Sequence, residues 1–330
     1  MLISFRIGRL PYFPFMFSAL LAALMVVGAG CSSTTDPTDA VGLSGTLTYE
    51  EVMDGVEQFD LATHTATGLY VGRSPSSFSS GAMVVLGPTS STMEIVSANG
   101  TARNEIYSSP RTYTLFGPKV SPSGTMIAFT ESAETEVMSE PRVIKTVVID
   151  LDGNVIVEIN GLGAPSWTTD GRILLSGSWL YPYSLTSEPI TPNGESAIYI
   201  VDAAFTGVTQ ISGILDKPLD PSMSPDGSRI ALTLNGHLWT MKSDGTDLKQ
   251  ITTGSKSESK PTWSPDGKNI VCVCFGTFES LYYNAIAIVP AAPTSPTAMN
   301  NDASVWVIDK NQTLNVSKGR VHATGSIGWR

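Results

Sequence analysis

A twelve-residue segment recurs in this chain with its pattern almost unchanged, and that repetition limits the possible folds more than any other feature. Pro221-Ser222-Met223-Ser224-Pro225-Asp226-Gly227-Ser228-Arg229-Ile230-Ala231-Leu232 returns as Pro261-Thr262-Trp263-Ser264-Pro265-Asp266-Gly267-Lys268-Asn269-Ile270-Val271-Cys272. Looser copies are Pro118-Lys119-Val120-Ser121-Pro122-Ser123-Gly124 and Pro165-Ser166-Trp167-Thr168-Thr169-Asp170-Gly171, each running into an apolar stretch. Ser80-Gly81 and Ser44-Gly45 mark two degenerate copies. The six anchor glycines at 45, 81, 124, 171, 227 and 267 are spaced by about 44 residues on average, the period of a four-stranded propeller blade.

The turn chemistry explains the motif. Proline presets φ at the first central position, Asp tolerates the second, and Gly takes the left-handed conformation that closes a three-residue hairpin with a bulge. Each motif therefore joins two strands. A further strand follows in the apolar runs 146–150, 197–202, 237–241 and 305–309, leading into turns such as Asp152-Gly153 and Asp244-Gly245, and an outermost strand such as 248–252 comes last. The chain ends at Trp329-Arg330, where Trp329 occupies the place of Trp263 and Trp167 without the hairpin that should follow. The first repeat opens without its innermost strand. The expectation is all-β: a six-bladed β-propeller of four-stranded antiparallel blades, closed by the C-terminal strand joining the first blade, which removes exposed sheet edges.

The copies at 165–171, 221–227 and 261–267 resemble the Pro-Ser-Trp-Ser-Pro-Asp-Gly signature carried by blades of the TolB-like propeller family. The resemblance covers about 44–330 and is most specific in the copies at 221–232 and 261–272.

The N-terminus carries a separate signal. Arg6 and Arg9 precede an apolar stretch from Leu10 to Val27, which ends in Gly28-Ala29-Gly30 directly before Cys31. This reads as an export signal, and the cysteine at its boundary resembles the lipobox of bacterial lipoproteins. Pro11 and Pro14 inside the run disfavour an uncleaved spanning helix, and the polar segment 32–39 suits a linker. The domains expected are a lipoprotein signal peptide at 1–30, lipidated Cys31 with a flexible linker at 31–43, and the propeller at 44–330. Ser32 after the cysteine resembles lipoproteins exported to an outer membrane, so the expected location is the bacterial cell envelope, with the membrane bound through the lipid.

Charge excludes one class of partner. Twenty Lys and Arg against thirty Asp and Glu give a net charge of -10, whereas nucleic-acid binding needs clustered cations. Nucleophilic chemistry finds no Gly-x-Ser-x-Gly elbow, and Ser257-Glu258-Ser259-Lys260 lacks the companion motifs that would make it catalytic. His64, His237 and His322 fall on different faces in the expected topology, so no metal or cofactor site is expected. The Asp of each Ser-Pro-Asp-Gly is read as a turn residue and not as a Ca²⁺ ligand. Cys272 and Cys274 read as buried thiols, and Trp167, Trp263 and Trp329 as inter-blade core.

Loop length singles out one face. The second-to-third-strand loop and the inter-blade loop share a side of the disc, and expected insertions at about 130–145, 177–196 and 276–303 rise from it. They bring Trp179, Tyr181, Tyr183, Phe278, Tyr282 and Tyr283, with Glu131, Glu134, Glu136 and Glu140. Exposed aromatics on loops suit recognition of a protein or a glycan. The expected function is an interaction module without catalytic residues. The alternative is a propeller-type polysaccharide lyase or hydrolase working with acids, recognisable by acids converging at the channel mouth.

Overall fold

The computed structural model describes residues 43–51, 55–63, 65–109, 113–133, 143–177, 196–213, 215–216, 218–278, 281–299, 306–307 and 327–330. They form six four-stranded antiparallel sheets, and no helix occurs among them. From the innermost strand outward, the first blade comprises Gly328–Trp329, Thr46–Glu51, Gly55–Asp60 and Thr65–Tyr70. The second comprises Arg73–Ser77, Met83–Leu86, Thr92–Val96 and Arg103–Ser108, and the third Tyr113–Val120, Met126–Ala133, Val143–Asp150 and Val155–Asn160. The fourth has Gly163–Trp167, Ile173–Gly177, Ala197–Val201 and Val208–Gln210, and the fifth Leu219–Met223, Arg229–Leu234, His237–Lys242 and Lys249–Gln250. The sixth has Ser257–Trp263, Asn269–Phe278, Leu281–Pro290 and Trp306–Val307.

The C-terminal strand closes the ring as the sequence requires. Leu47 pairs with Trp329 and Thr48 with Gly328, while Thr46 N–H donates to the Arg330 carbonyl at 2.7 Å.

Both faces of every blade are covered, which is why the middle strands read as continuous apolar runs and not as alternating ones. The buried side chains fall into six clusters, one at each blade junction. Leu174, Ile198, Ile230, Leu232 and Met241 join blades four and five, whereas Ala231, Leu238, Ile270 and Cys272 join five and six. Neighbouring residues such as Ile230 and Ala231 thus serve opposite junctions. The closing junction uses Leu47, Tyr49, Val271, Ile286 and Trp329. Cys272 and Cys274 are free and buried.

The turn motif behaves as its chemistry demands. Ser224 N–H donates to the Arg229 carbonyl at 2.8 Å, Gly227 N–H to the Ser224 carbonyl at 2.9 Å, and Gly227 has φ 72°. The Asp226 carboxylate accepts from Ser224 Oγ at 2.6 Å and from Ser228 N–H at 3.0 Å. The same set recurs at Ser264 and Asp266. These Asp side chains complete a turn.

Two expectations about the loops are corrected. In blade six, 276–303 is not one long loop: Asn269–Phe278 and Leu281–Pro290 form a ten-pair hairpin, and Trp306–Val307, expected as part of the third strand, is the outermost. The longer excursion comes after Pro290, where Thr297–Ala298 pairs in parallel with Thr252–Thr253 beside blade five. In blade three, Glu131 is not on an exposed loop. It lies within Met126–Ala133 and is buried, because Lys145, opposite it on the neighbouring strand, supplies a counter-charge.

Candidate functional site

The innermost strands line a central channel, and a repeated irregularity shapes it. Each of blades two to six breaks register within this strand, at 73–76, 116–119, 163–166, 219–222 and 259–262. At every break the residue before a proline is left-handed: Ser74, Gly117, Ala164, Asp220 and Lys260, with φ between 47° and 55°. For a residue bearing a side chain this conformation costs about 1–2 kcal/mol. Side chains of the preceding blade capture the displaced amides. Ser74 N–H donates to Glu50 Oε2 at 2.8 Å, Ala164 N–H to Thr130 Oγ1 at 3.0 Å, and Lys260 N–H to Asp220 Oδ2 at 3.2 Å. The bulge therefore ties neighbouring blades together and re-aims side chains. In blades five and six it brings Asp220 and Lys260 to the channel wall.

The channel has two halves. The half on the side of the Ser-Pro-Asp-Gly turns has a volume of about 360 Å³ and is bordered by Ser77, Pro122, Trp167, Trp329 and Arg330. The half opening toward the second-to-third-strand loops has about 610 Å³ and is bordered by Phe116, Ile144, Asp220 and Lys260. Lys119, Ser166, Ser222, Thr262 and Ile327 border both and form the waist. Phe116 remains 49% exposed, an aromatic ring on offer at the centre of the loop face. Burial pushes the Lys119 ammonium down to about 8; nearby Asp220 opposes that fall and Lys260 adds to it. Lys119 is still mostly cationic at neutral pH.

Buried carboxylates lock the loop face from below. Glu131 accepts from Tyr107 Oη at 3.1 Å and Ser109 Oγ at 3.0 Å, and pairs with Lys145 Nζ at 3.0 Å. Glu258 accepts from Thr252 Oγ1 at 2.6 Å and faces His237 Nδ1 at 3.0 Å, and burial raises its pKa. Both are structural groups shut away from the channel.

Cys31, Trp179, Tyr181, Tyr183, Glu134, Glu136 and Glu140 lie outside the described residues. The backbones of Phe278, Tyr282 and Tyr283 lie in strands at the loop-face end of the blade-six hairpin. His64 and His322 also fall outside the described residues, while His237 opens a strand as expected. The three tryptophans are junction residues: Trp167 Nε1 donates to the Lys119 carbonyl and Trp263 Nε1 to the Ser222 carbonyl, both at 2.9 Å. Trp329 Nε1 donates to the Ser44 carbonyl at 3.1 Å.

Sequence reasoning missed Phe116, Lys119, Asp220 and Lys260. One signal was available: Asp220-Pro221 and Lys260-Pro261 place opposite charges at the same point of two near-identical repeats, where turn chemistry requires neither.

No family model matches the chain. Over 131 residues, 36% of this chain, it is 32% identical to the Tol-Pal system protein TolB of Anaeromyxobacter dehalogenans strain 2CP-C, covering 26% of that protein. The protein of the same name from Francisella tularensis strain WY96-3418 is 28% identical over 122 residues, 34% of this chain and 25% of the relative. The chain thus spans about a quarter of the length of these curated relatives. Among solved structures, the putative TolB from Agrobacterium tumefaciens matches 81% of this chain and 98% of its own, with a TM-score of 0.56 at 14% identity. That likeness is one of fold.

Proposed function

Taking as premise that the chain is a TolB-like β-propeller, we propose that it is a protein- or glycan-binding module of the bacterial cell envelope that takes its ligand on the loop face. The observation that carries this reading is the 610 Å³ half-channel opening at the centre of that face, with Phe116 exposed in it. A pocket of this volume with mixed apolar and polar walls suits recognition. The curated relatives are named as Tol-Pal system proteins, which supports an envelope setting and a protein partner.

The rest of the proposal concerns the anchor and the rim. Residues 1–30 act as the export signal, Cys31 carries the lipid, 31–43 is the linker and 44–330 the propeller, held at the outer membrane where the cell has one. Trp179, Tyr181, Tyr183, Phe278, Tyr282 and Tyr283 rim the binding face. A second reading, a polysaccharide lyase or hydrolase, requires acids converging on the channel. Among the described residues one carboxylate, Asp220, borders the loop-side half, beside two lysines, a balance that favours binding.

The test is affinity capture from envelope extracts, alongside a glycan array, with the wild-type chain and with alanine at Trp179, Tyr183 and Tyr282. The triple variant should keep its thermal transition and lose its specific partners. Unchanged partners with an intact fold would sink the loop-face assignment. For the anchor, Cys31→Ala should release the protein from the detergent-soluble membrane fraction and alter its electrophoretic mobility.

A further inference from the structure

Among the described residues, the channel wall holds a cation, Lys119, with no counter-ion in contact. The strand around Lys119 is fixed on both sides, since the Lys119 carbonyl accepts Trp167 Nε1 and Val120 N–H donates to Ser76 Oγ at 3.0 Å. No hydrogen bond or ion pair reaches its ammonium among the described residues; Asp220 and Lys260 act on it only through space. Lys119 is half-buried at the junction of the two channel halves, and an anion entering there would form the charge-assisted contact that no protein group already makes among the described residues. The hydroxyl-bearing Ser166 and Ser222 stand at the same waist, while Phe116 and Ile144 line the wider half toward the loop face.

We propose that the loop-side half of the channel is a carboxylate site, taking a monoanionic ligand with an apolar end. The carboxylate meets the Lys119 ammonium at the waist, Ser166 and Ser222 donate to it, and the apolar end lies over Phe116 and Ile144. Lys260 adds to the attraction, while Asp220 disfavours a second negative charge and so selects one carboxylate over two. The inference rests on the loop face being the binding face and names the chemistry taken at its centre. A free amphipathic acid and an acidic side chain on a partner protein present the same group, and about 610 Å³ admits either.

The test is calorimetric titration of the full chain in detergent micelles, corrected for micelles alone. The probes are 3-phenylpropionate, its neutral amide 3-phenylpropionamide, and a hexapeptide with one Glu beside a Phe. The acid should bind at least tenfold more tightly than the amide, and Lys119→Met should remove that preference while Lys119→Arg keeps it. Acid affinity should also fall as pH rises through about 8, because the depressed lysine loses its proton there. Tighter binding of the peptide than of the acid assigns the site to a partner's side chain, and the reverse assigns it to a free acid.

Equal binding of acid and amide by the wild-type chain would overturn the proposal without any variant. So would retained preference in a folded Lys119→Met chain. The triple variant at Trp179, Tyr183 and Tyr282 separates the two readings: if it loses captured partners but binds 3-phenylpropionate, the rim and the channel act independently. If the wild-type chain captures partners but binds neither acid nor peptide, the carboxylate site fails and the loop-face reading stands.

Discussion

The two faces of this propeller are built on opposite plans. On the turn face the features recur from blade to blade: the first-to-second-strand hairpins of blades two to six bond their own amides, and glycines of the third-to-fourth-strand turns in blades two, three and five press against the preceding blade. On the loop face the blades differ from one another. There the buried carboxylates, the wider half-channel and the hairpin of blade six each occur in their own setting. Repetition marks what every blade needs in order to pack, and departure from it marks where a ligand can be told apart.

The sharpest way to break the turn face is at Gly245. Its φ is 83°, and a Cβ there would fall 1.7 Å from the Ile211 carbonyl oxygen of the preceding blade. Gly245→Ala should cost about 3 kcal/mol or more, from strain and overpacking together. At Gly227 φ is 72° but a Cβ would meet nothing within 4 Å, so Gly227→Ala should cost only about 1–2 kcal/mol. Urea unfolding midpoints read both, and equal losses would show that junction packing plays no part.

On the loop face, Glu131→Leu should cost about 2 kcal/mol, because Tyr107 and Ser109 lose their acceptor while Lys145 keeps Glu158 at 2.6 Å. Glu131→Gln should recover part of the loss, since the amide oxygen still accepts. A calorimetric melt that leaves both variants at the wild-type temperature would remove Glu131 from the structural account.

The smallest effect belongs to Asp226, an exposed carboxylate held down to about 2 by Ser224 and Ser228. Its folded value lies below the unfolded one, near 3.9. The stability it adds is therefore complete above about pH 4 and is lost as pH falls toward about 2. Asp226→Ala should cost about 0.5–1 kcal/mol at neutral pH, discounted for solvent screening, and the difference from wild type should vanish in that acid window. Stability curves measured across pH 2–7 decide this, and a constant difference would mean that the carboxylate's charge is irrelevant to the turn.

Much of the turn face was legible because its signals are local. Pro225-Asp226-Gly227 specifies a hairpin whatever surrounds it, and Trp329 at the chain end announces an innermost strand seeking a partner. The loop face was harder to read. Leu281–Pro290 carries an alternating Ala-Ile-Ala-Ile core, yet the following prolines and the strand-like 305–309 made it look like part of an insertion. A ten-pair hairpin outcompeted that reading, since adjacent strands pair at little loop-closure cost. Glu131 likewise looked like a loop acid until its pairing with Lys145 and Tyr107 came into view.

The number of blades, their four strands, the turn chemistry and the closure of the ring are written in the chain itself, because each rests on residues within a few positions of one another or on a repeat spacing. The bulges before the prolines, the waist at Lys119 and the two halves of the channel arise only once the blades pack around the ring. Those features exist where the innermost strands converge, and no single repeat contains the neighbours that capture a displaced amide or set an ammonium at the waist.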